Sequence, residues 1–207
     1  MRTLVTQNRF CILVWIVLAT ASCQMPSSER AVSTAGTPTK PLLLEKNEGE
    51  LRVRRVPADN TSVPMSVPSS QFMLKVSPKN NGSEHLVLVT EELSPGARIR
   101  THKHLMQDEI VLIQTGTAHV RLGDQERDVH AGGLVFIPTD TWIALQNIGS
   151  DPISLVAIFS APGFDEYMRC ASVPASQKPT VITRDELKGC AHEGHAVYEE
   201  LEESLRK

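Results

Sequence analysis

The chain has 207 residues, 41% of them hydrophobic, and a formal net charge of −3, so it can bury the core of one modest domain. Loss of residues 1–22 would remove two arginines and no acidic residue, leaving 19 basic against 24 acidic residues and a net charge of −5. Such a balance excludes the basic surface that nucleic-acid binding requires. No chemical motif occurs twice, which excludes an internally duplicated domain.

The N-terminus predicts export. Two arginines precede the apolar run Phe10–Ala19, and small residues lead from there into Cys23. This order is typical of a secretory signal peptide over residues 1–22. Small residues directly before a cysteine also resemble a bacterial lipobox, in which Cys23 becomes lipidated. An ordinary secreted protein and a retained anchor are the alternatives, although the run is shorter than the roughly 20 residues of a spanning helix.

Residues 23–70 are expected to form the lipidated N-terminus, a tether and an N-terminal arm. The stretch after Cys23 is rich in Ser, Thr and Pro, which favours a flexible tether that attaches the protein to a membrane through its lipid. Leu42–Val56 regains apolar character and is expected to dock on the domain that follows. The basic run Arg52–Arg55 is interpreted as a solvated strand edge. We expect the protein in the cell envelope or periplasm. Gln24 follows Cys23 where an Asp would retain a lipoprotein in the inner membrane, so it favours the outer membrane.

Short strands are predicted throughout residues 71–165. Apolar and β-branched runs alternate with Gly, Pro, Asn and Asp turn signals: QFMLKV, HLVLVTEEL, ARIRTHKH, EIVLIQTG, AHVRLG, GLVFIP, WIALQN and ISLVAIFS. Many short strands at near-regular spacing indicate an all-β closed antiparallel barrel or jelly roll. Exposed edge strands in such a domain favour pairing into a homodimer.

A metal site is predicted in this region. His102 and His104 are separated by one residue, so on a strand their side chains lie on the same face. Glu109 opens the next strand after a short polar turn and can reach the same point. Two imidazoles and one carboxylate hold a divalent transition metal on one face and leave other positions open. Solvated loop histidines are the alternative.

The spacing of these three residues, with Gly96 before them and Gly116 after them, resembles the first signature of the cupin superfamily. The resemblance covers about residues 71–165, and this segment is similar to small bacterial single-domain cupins. It implies a cupin double-stranded β-helix, a jelly-roll barrel followed by short C-terminal helices. It also implies a metal, iron, manganese, nickel or zinc, on His102, His104 and Glu109.

A second cupin signature follows at Gly132–Asn147, and it departs from the family pattern. Ile143 occupies the position that usually carries a fourth ligand, a histidine. His119 and His130 do not replace that ligand, since His119 is expected to face away from the interior and His130 to lie in a turn. A metal would therefore have three protein ligands, and a metal-free barrel filled by Trp142 and Ile143 is the alternative.

Residues 166–207 are expected to form a helical extension. Thr183 and Glu186 have the spacing of a capping box, and apolar residues recur at roughly helical intervals at Leu187, Ala191, Tyr198, Leu201 and Leu205. Cys170 and Cys190 form an even pair in an exported protein, which predicts a disulfide. A second metal site at Cys190, His192 and His195 is the weaker interpretation.

Two classes of function remain open at this point. An enzyme would use His102, His104 and Glu109 to hold a metal that acts on a small organic substrate, with dioxygenase-like oxidoreductase chemistry as the first option. A non-catalytic module would use the same pocket to capture a metal or small molecule at the cell envelope. A polar environment around the ligands, to which Glu91, Glu92 or Gln146 could contribute, would favour chemistry.

Overall fold

The computed structural model describes residues 39–58 and 71–202, all within one compact unit of residues 35–207. The described residues form fourteen strands: β1 Glu50–Arg54, β2 Val56–Pro57, β3 Gln71–Val76, β4 Val87–Leu93, β5 Arg98–His104, β6 Glu109–Thr115, β7 Thr117–Leu122, β8 Gln125–His130, β9 Leu134–Ile137, β10 Ile143–Asn147, β11 Ile153–Phe159, β12 Ser172–Pro174, β13 Val181–Ile182 and β14 Ala196–Tyr198. They also form four short helices: α1 Pro78–Asn81, α2 Phe164–Cys170, α3 Arg184–Glu193 and α4 Glu199–Glu202.

Two sheets build the barrel. One has the strand order β12-β1-β3-β4-β11-β6-β9, and the other has the order β14-β5-β10-β7-β8. A small parallel pair, β2 and β13, accompanies them. The other pairings are antiparallel, and the architecture is a cupin double-stranded β-helix. This confirms the fold class expected from the sequence.

The core lies between the inner faces of the two sheets. Strand β11 alternates strictly between buried and partly exposed residues, because successive side chains point to opposite faces. Its inward side chains, Leu155 and Phe159 among them, meet Val89 from β4 and Ile113 from β6 in one continuous apolar cluster. Branched aliphatic residues therefore fill most of the interior.

The glycines of the first cupin signature mark tight turns. Gly96 and Gly116 have φ angles of +76° and +80°, a region that side-chain-bearing residues rarely adopt. At Gly116 a Cβ atom would also lie 2.9 Å from Ile153 Cγ1. These positions turn the chain into β5 and out of β6, the two strands that carry the predicted ligands.

The sheets extend beyond the predicted barrel range of residues 71–165. Strand β1, from the predicted N-terminal arm, pairs with both β3 and β12 and so lies inside the larger sheet. Lys75, which is 8% exposed, donates from Nζ to the backbone carbonyls of Glu45, Lys46 and Glu48. This buried ammonium group holds residues 45–48 against the barrel.

Two further sequence expectations were wrong in detail. His130, expected in a turn, is the last residue of strand β8. The residues of β8 are almost all exposed, so the segment lacks the apolar alternation that signals a strand. Tyr198 lies on strand β14, which pairs with β5, and not on a helix. The helical spacing of the apolar residues near Tyr198 therefore did not indicate a helix at that position.

The C-terminal segment closes one end of the barrel. Helix α3 begins after Thr183, whose Oγ1 accepts from the Glu186 backbone N–H while the Glu186 carboxylate accepts from the Thr183 N–H, which confirms the capping box. The structure joins Cys170 of α2 to Cys190 of α3 by a disulfide, with 5.5 Å between their Cα atoms. The two helices are thereby held together over the barrel opening.

The predicted signal peptide, Cys23, the tether up to residue 38 and Leu205 lie outside the described residues. Among the helices that are described, none combines the length and the apolar character needed to cross a membrane.

Candidate metal centre

The structure brings the three predicted ligands together. His102 and His104 project from β5 into the barrel, and Glu109 projects from the first position of β6. The three residues are 4%, 1% and 6% exposed, and one possible ligand atom from each lies within 4.8 Å of the others. A strand and its successor, turned back through a short loop, thus place two imidazoles and a carboxylate around one point.

A β-bulge orients His102. The pairing of β5 with β10 shifts register between His102 and Ile99, which inserts one extra residue into β5. The backbone carbonyl of Arg100, in this bulge, lies 2.8 Å from His102 Nδ1 and accepts a hydrogen bond from it. Nδ1 therefore carries the proton and Nε2 keeps its lone pair, the arrangement found in metal-binding histidines. Burial, followed by the neighbouring His104, lowers the pKa of His102 to about 4, so the ring is neutral at pH 7.

His104 and Glu109 form the second half of the site. His104 Nε2 lies 3.1 Å from Glu109 Oε2. Ligands about 2.1 Å from one ion are separated by roughly 3.0–3.4 Å, so this pair already has the spacing of two metal ligands. His104 Nδ1 is buried without a hydrogen-bond partner among the described residues. The donor set and the close approach of its three ligand atoms fit a divalent transition metal.

Aromatic rings hold the imidazoles in place. Phe164 packs edge-on against His104 at 4.4 Å between ring centroids, and Phe159 does so at 5.3 Å. Tyr198 stacks on His102 at 5.1 Å. These contacts fix both ring orientations and keep bulk water from this side of the site, so little side-chain entropy is lost when the imidazoles are ordered around an ion.

Ile143 stands where the family pattern has its fourth ligand. It lies directly opposite His102 in the register of β10 and β5, is 4% exposed and lines the cavity beside the three predicted ligands. Trp142 does not fill the cavity, contrary to one sequence-based alternative, because its ring lies under Lys103 Nζ at 5.1 Å. The fourth position is therefore apolar, and a metal at the site has three protein ligands.

Replacing Ile143 by His is expected to raise metal affinity at least about tenfold, because the new imidazole would face the same point as His102. Competition against a chelator of known affinity measures the change. Ile143→Leu retains an apolar side chain and serves as the matched control. If Ile143→His and Ile143→Leu bind metal equally, position 143 does not reach the ion.

The cavity next to the triad has a polar far end, of which sequence analysis suggested only Glu91. Arg54 pairs with Glu91 at 2.6 Å, and Arg100 pairs with Glu200 at 2.6 Å. Burial raises the pKa of the Glu91 carboxyl against the opposing effect of Arg54. The enclosed volume is about 90 Å³. The interpretation of Arg52–Arg55 as a solvated edge is wrong for two of its residues. Arg52 is 8% exposed and donates to Ser172, and the Arg54 side chain enters the barrel.

The remaining candidate residues lie elsewhere. His119 pairs with Asp128 at the surface and His130 is exposed, as predicted. Of the three residues suggested near the pocket, only Glu91 lines it; Glu92 pairs with Lys46, and Gln146 is exposed. The alternative metal site in the tail is excluded by geometry, since Cys190 is in the disulfide and His192 and His195 are exposed.

The fold and the site define a jelly-roll barrel with a three-residue candidate metal centre. Residues 89–159 match the family model described as "Cupin domain". This match supports placing the barrel in the cupin superfamily. It covers the strands that carry Glu91, all three predicted ligands and Ile143, and it leaves β1 and the C-terminal helices outside.

One curated relative is Mannose-1-phosphate guanylyltransferase 2 of Escherichia coli O157:H7, 36% identical over 76 residues. The alignment covers 36% of this chain and only 15% of that protein. The shared segment is thus a small part of a much longer relative.

Similar solved structures include a predicted oxalate decarboxylase from Thermotoga maritima, with 18% identity and a TM-score of 0.42 over 44% of this chain and 80% of that one. KdgF from Halomonas sp. has 18% identity and a TM-score of 0.39 over 44% and 79% of the two chains. The Thermus thermophilus protein TT1209 has 24% identity and a TM-score of 0.37 over 38% and 75%. Likeness at this level does not bear on what this chain binds.

Proposed function

We propose that this protein is a metal-binding cupin that holds iron, manganese, nickel or zinc on His102, His104 and Glu109 and receives a small organic molecule beside it. The observation that carries the proposal is the buried triad beside a cavity lined mainly by apolar side chains. A bound metal would supply a Lewis acid and a template for the ligand. His102 and His104 hold fixed orientations for this purpose, and Glu109 offsets part of the ion's charge.

Catalysis on the bound molecule, of the dioxygenase-like oxidoreductase class, is the first version of this proposal. Its support is the polar end of the cavity, since Arg54, Glu91 and Arg100 can orient a substrate next to open ligand positions. A non-catalytic module that captures a metal or a small ligand is the second version. Ile143 supports this second version, because the apolar fourth position reduces the metal's hold on the protein.

We further propose that the protein is exported and works at the cell envelope, anchored to a membrane by a lipid on Cys23. The support is the N-terminal sequence together with the Cys170–Cys190 disulfide, a bond that persists in oxidising compartments. A homodimer is proposed as well, supported by the edge strand β9, whose outer side chains Leu134 and Phe136 are 56% and 51% exposed.

Elemental analysis tests the metal proposal. The protein, purified without a metal-chelating tag and reconstituted with each candidate ion, is expected to hold one equivalent of metal. His102→Ala should lose that metal while remaining folded, because a site of three ligands does not survive the loss of one. His119→Ala, a substitution in a histidine whose side chain is 41% exposed, is the matched control and should retain it. Protein that stays metal-free after reconstitution would overturn the proposal.

A further inference from the structure

Two guanidinium groups share the enclosed cavity with the candidate metal site. Arg54 reaches it from β1, and Arg100 reaches it from the bulge in β5; both line the same space as His102 and Glu109. Guanidinium groups present several N–H donors in a planar fork that matches the two oxygens of a carboxylate. Their presence in an apolar interior calls for a specific reason, because buried charges are expensive.

The charges around the cavity leave room for one anion. Arg54 is balanced by Glu91 and Arg100 by Glu200, each at 2.6 Å. Glu109 then contributes one negative charge, and a divalent metal held by the triad brings the total to one positive charge. A net charge in a water-poor cavity is unfavourable, and one monoanionic ligand neutralises it.

Hydrogen-bond donors remain for such a ligand. The Nε atom of Arg54 is buried and has no hydrogen-bond partner among the described residues. Tyr167 and Tyr198 also line the cavity. The two hydroxyls are hydrogen-bonded to each other, which leaves one phenol proton for a ligand. Together with the Arg54 Nε–H it forms a donor set suited to a carboxylate and poorly suited to a cation.

We propose that the ligand of this cavity is a small monocarboxylic acid, with its carboxylate held between the metal triad and the guanidinium groups of Arg54 and Arg100. This inference rests on the metal-binding function proposed above. The cavity volume of about 90 Å³ limits the ligand's size. A cavity of about 150 Å³ holds benzene, and one water needs about 10–15 Å³. Between these two references, this cavity admits roughly four to eight non-hydrogen atoms.

Calorimetric titration of the metal-loaded protein with glycolate and with glycolamide tests the inference. The two probes have the same shape and number of non-hydrogen atoms and differ in charge. Glycolate is expected to bind at least about tenfold more tightly, because only the carboxylate carries a negative charge and offers two acceptor oxygens to a guanidinium group. Metal content is measured on the same sample before either probe is added.

Two variants move the affinity in opposite directions. Arg100→Gln removes one guanidinium group and is expected to weaken glycolate binding about tenfold. Glu91→Gln removes the charge that competes for Arg54 and keeps a group able to accept from it, so glycolate binding is expected to tighten several-fold. Neither variant should change glycolamide binding to the same extent. General damage to the fold would lower the glycolate affinity of both variants, whereas the proposed site predicts that one affinity falls and the other rises.

The outcomes separate this inference from the function on which it rests. Equal binding of glycolate and glycolamide to protein that carries one equivalent of metal overturns the carboxylate site and leaves the metal proposal standing. Protein without metal, detected before titration, overturns the metal proposal and the inference with it. Weaker glycolate binding by Glu91→Gln than by the unmodified protein also overturns the role assigned to Arg54.

Discussion

Arg54→Met is expected to destabilise the protein by about 3–5 kcal/mol, the usual effect of removing one partner from a buried ion pair. Glu91, whose side chain is 6% exposed, would be left in the barrel without the guanidinium that now lies 2.6 Å away. The Arg54 side chain also packs over Phe72, at 5.0 Å from the ring centroid, and Met retains much of that apolar contact. The decrease in the free energy of unfolding therefore arises mainly from the unpaired Glu91 carboxylate. Urea unfolding measures it.

The effect of Arg54→Met should depend on pH. Burial already raises the pKa of Glu91, and removal of Arg54 takes away the main group that opposes this rise. A carboxyl group whose pKa is raised in the folded state gives stability that is present below its unfolded pKa and lost as pH rises through the folded pKa. The deficit should thus be largest at neutral pH and shrink towards about pH 4.5, as Glu91 takes up a proton.

The double variant Arg54→Met/Glu91→Leu is the matched control for this prediction. It removes both charges together, and replacement of a buried pair by apolar residues is often neutral or stabilising. Most of the lost stability should return. If the double variant is as unstable as Arg54→Met alone, the lost free energy comes from packing around β1 and not from an unpaired Glu91.

Loss of the Cys170–Cys190 disulfide is expected to destabilise the protein by about 3 kcal/mol. The two cysteines are 20 residues apart in sequence, and closing a loop of that size restricts the unfolded chain by about this amount. Cys170 is the last residue of α2, and Cys190 lies within α3 and is 1% exposed. The bond therefore fastens the helix that carries Phe164 and Tyr167 over the cavity.

Cys170→Ser/Cys190→Ser in denaturant, with and without a reducing agent, measures this contribution. The unmodified protein should unfold at lower denaturant after reduction, whereas the variant should not respond to the reducing agent. Metal content should be retained, because all three predicted ligands lie on β5 and β6 and not on the tethered helices. An unmodified protein that is insensitive to reduction would contradict the assigned bond.

The sequence was most informative where the chemistry is local. His102, His104 and Glu109 lie within eight residues, and the period of a strand is enough to place the two imidazoles on one face. The first-signature glycines are recognisable for the same reason, because a positive φ restricts the residue type at one position. Ile143 was recognised because its distance from Pro138 is fixed within the second signature.

Apart from Glu91, the far end of the cavity could not be predicted, because its residues meet only in three dimensions. Arg54 and Glu91 are 37 residues apart and belong to strands separated in the sheet by β3. A basic run in sequence is ordinarily solvated, and nothing in the run Arg52–Arg55 shows which arginine turns inward. Strand β8 was missed because both of its faces are exposed to solvent, so its sequence lacks the alternation of apolar and polar residues that marks a strand.

Arg100, in the bulge of β5, contacts both ends of the cavity. Arg100 orients His102 through its backbone carbonyl, while its guanidinium group lines the space where the carboxylate is proposed to bind. A ligand that displaces Arg100 therefore acts on the imidazole as well. Binding free energies are linked reciprocally, so an anion whose affinity rises by some factor when the ion is present must raise the affinity for the ion by the same factor. A cell that supplies the acid would thereby also set how firmly this barrel retains its metal.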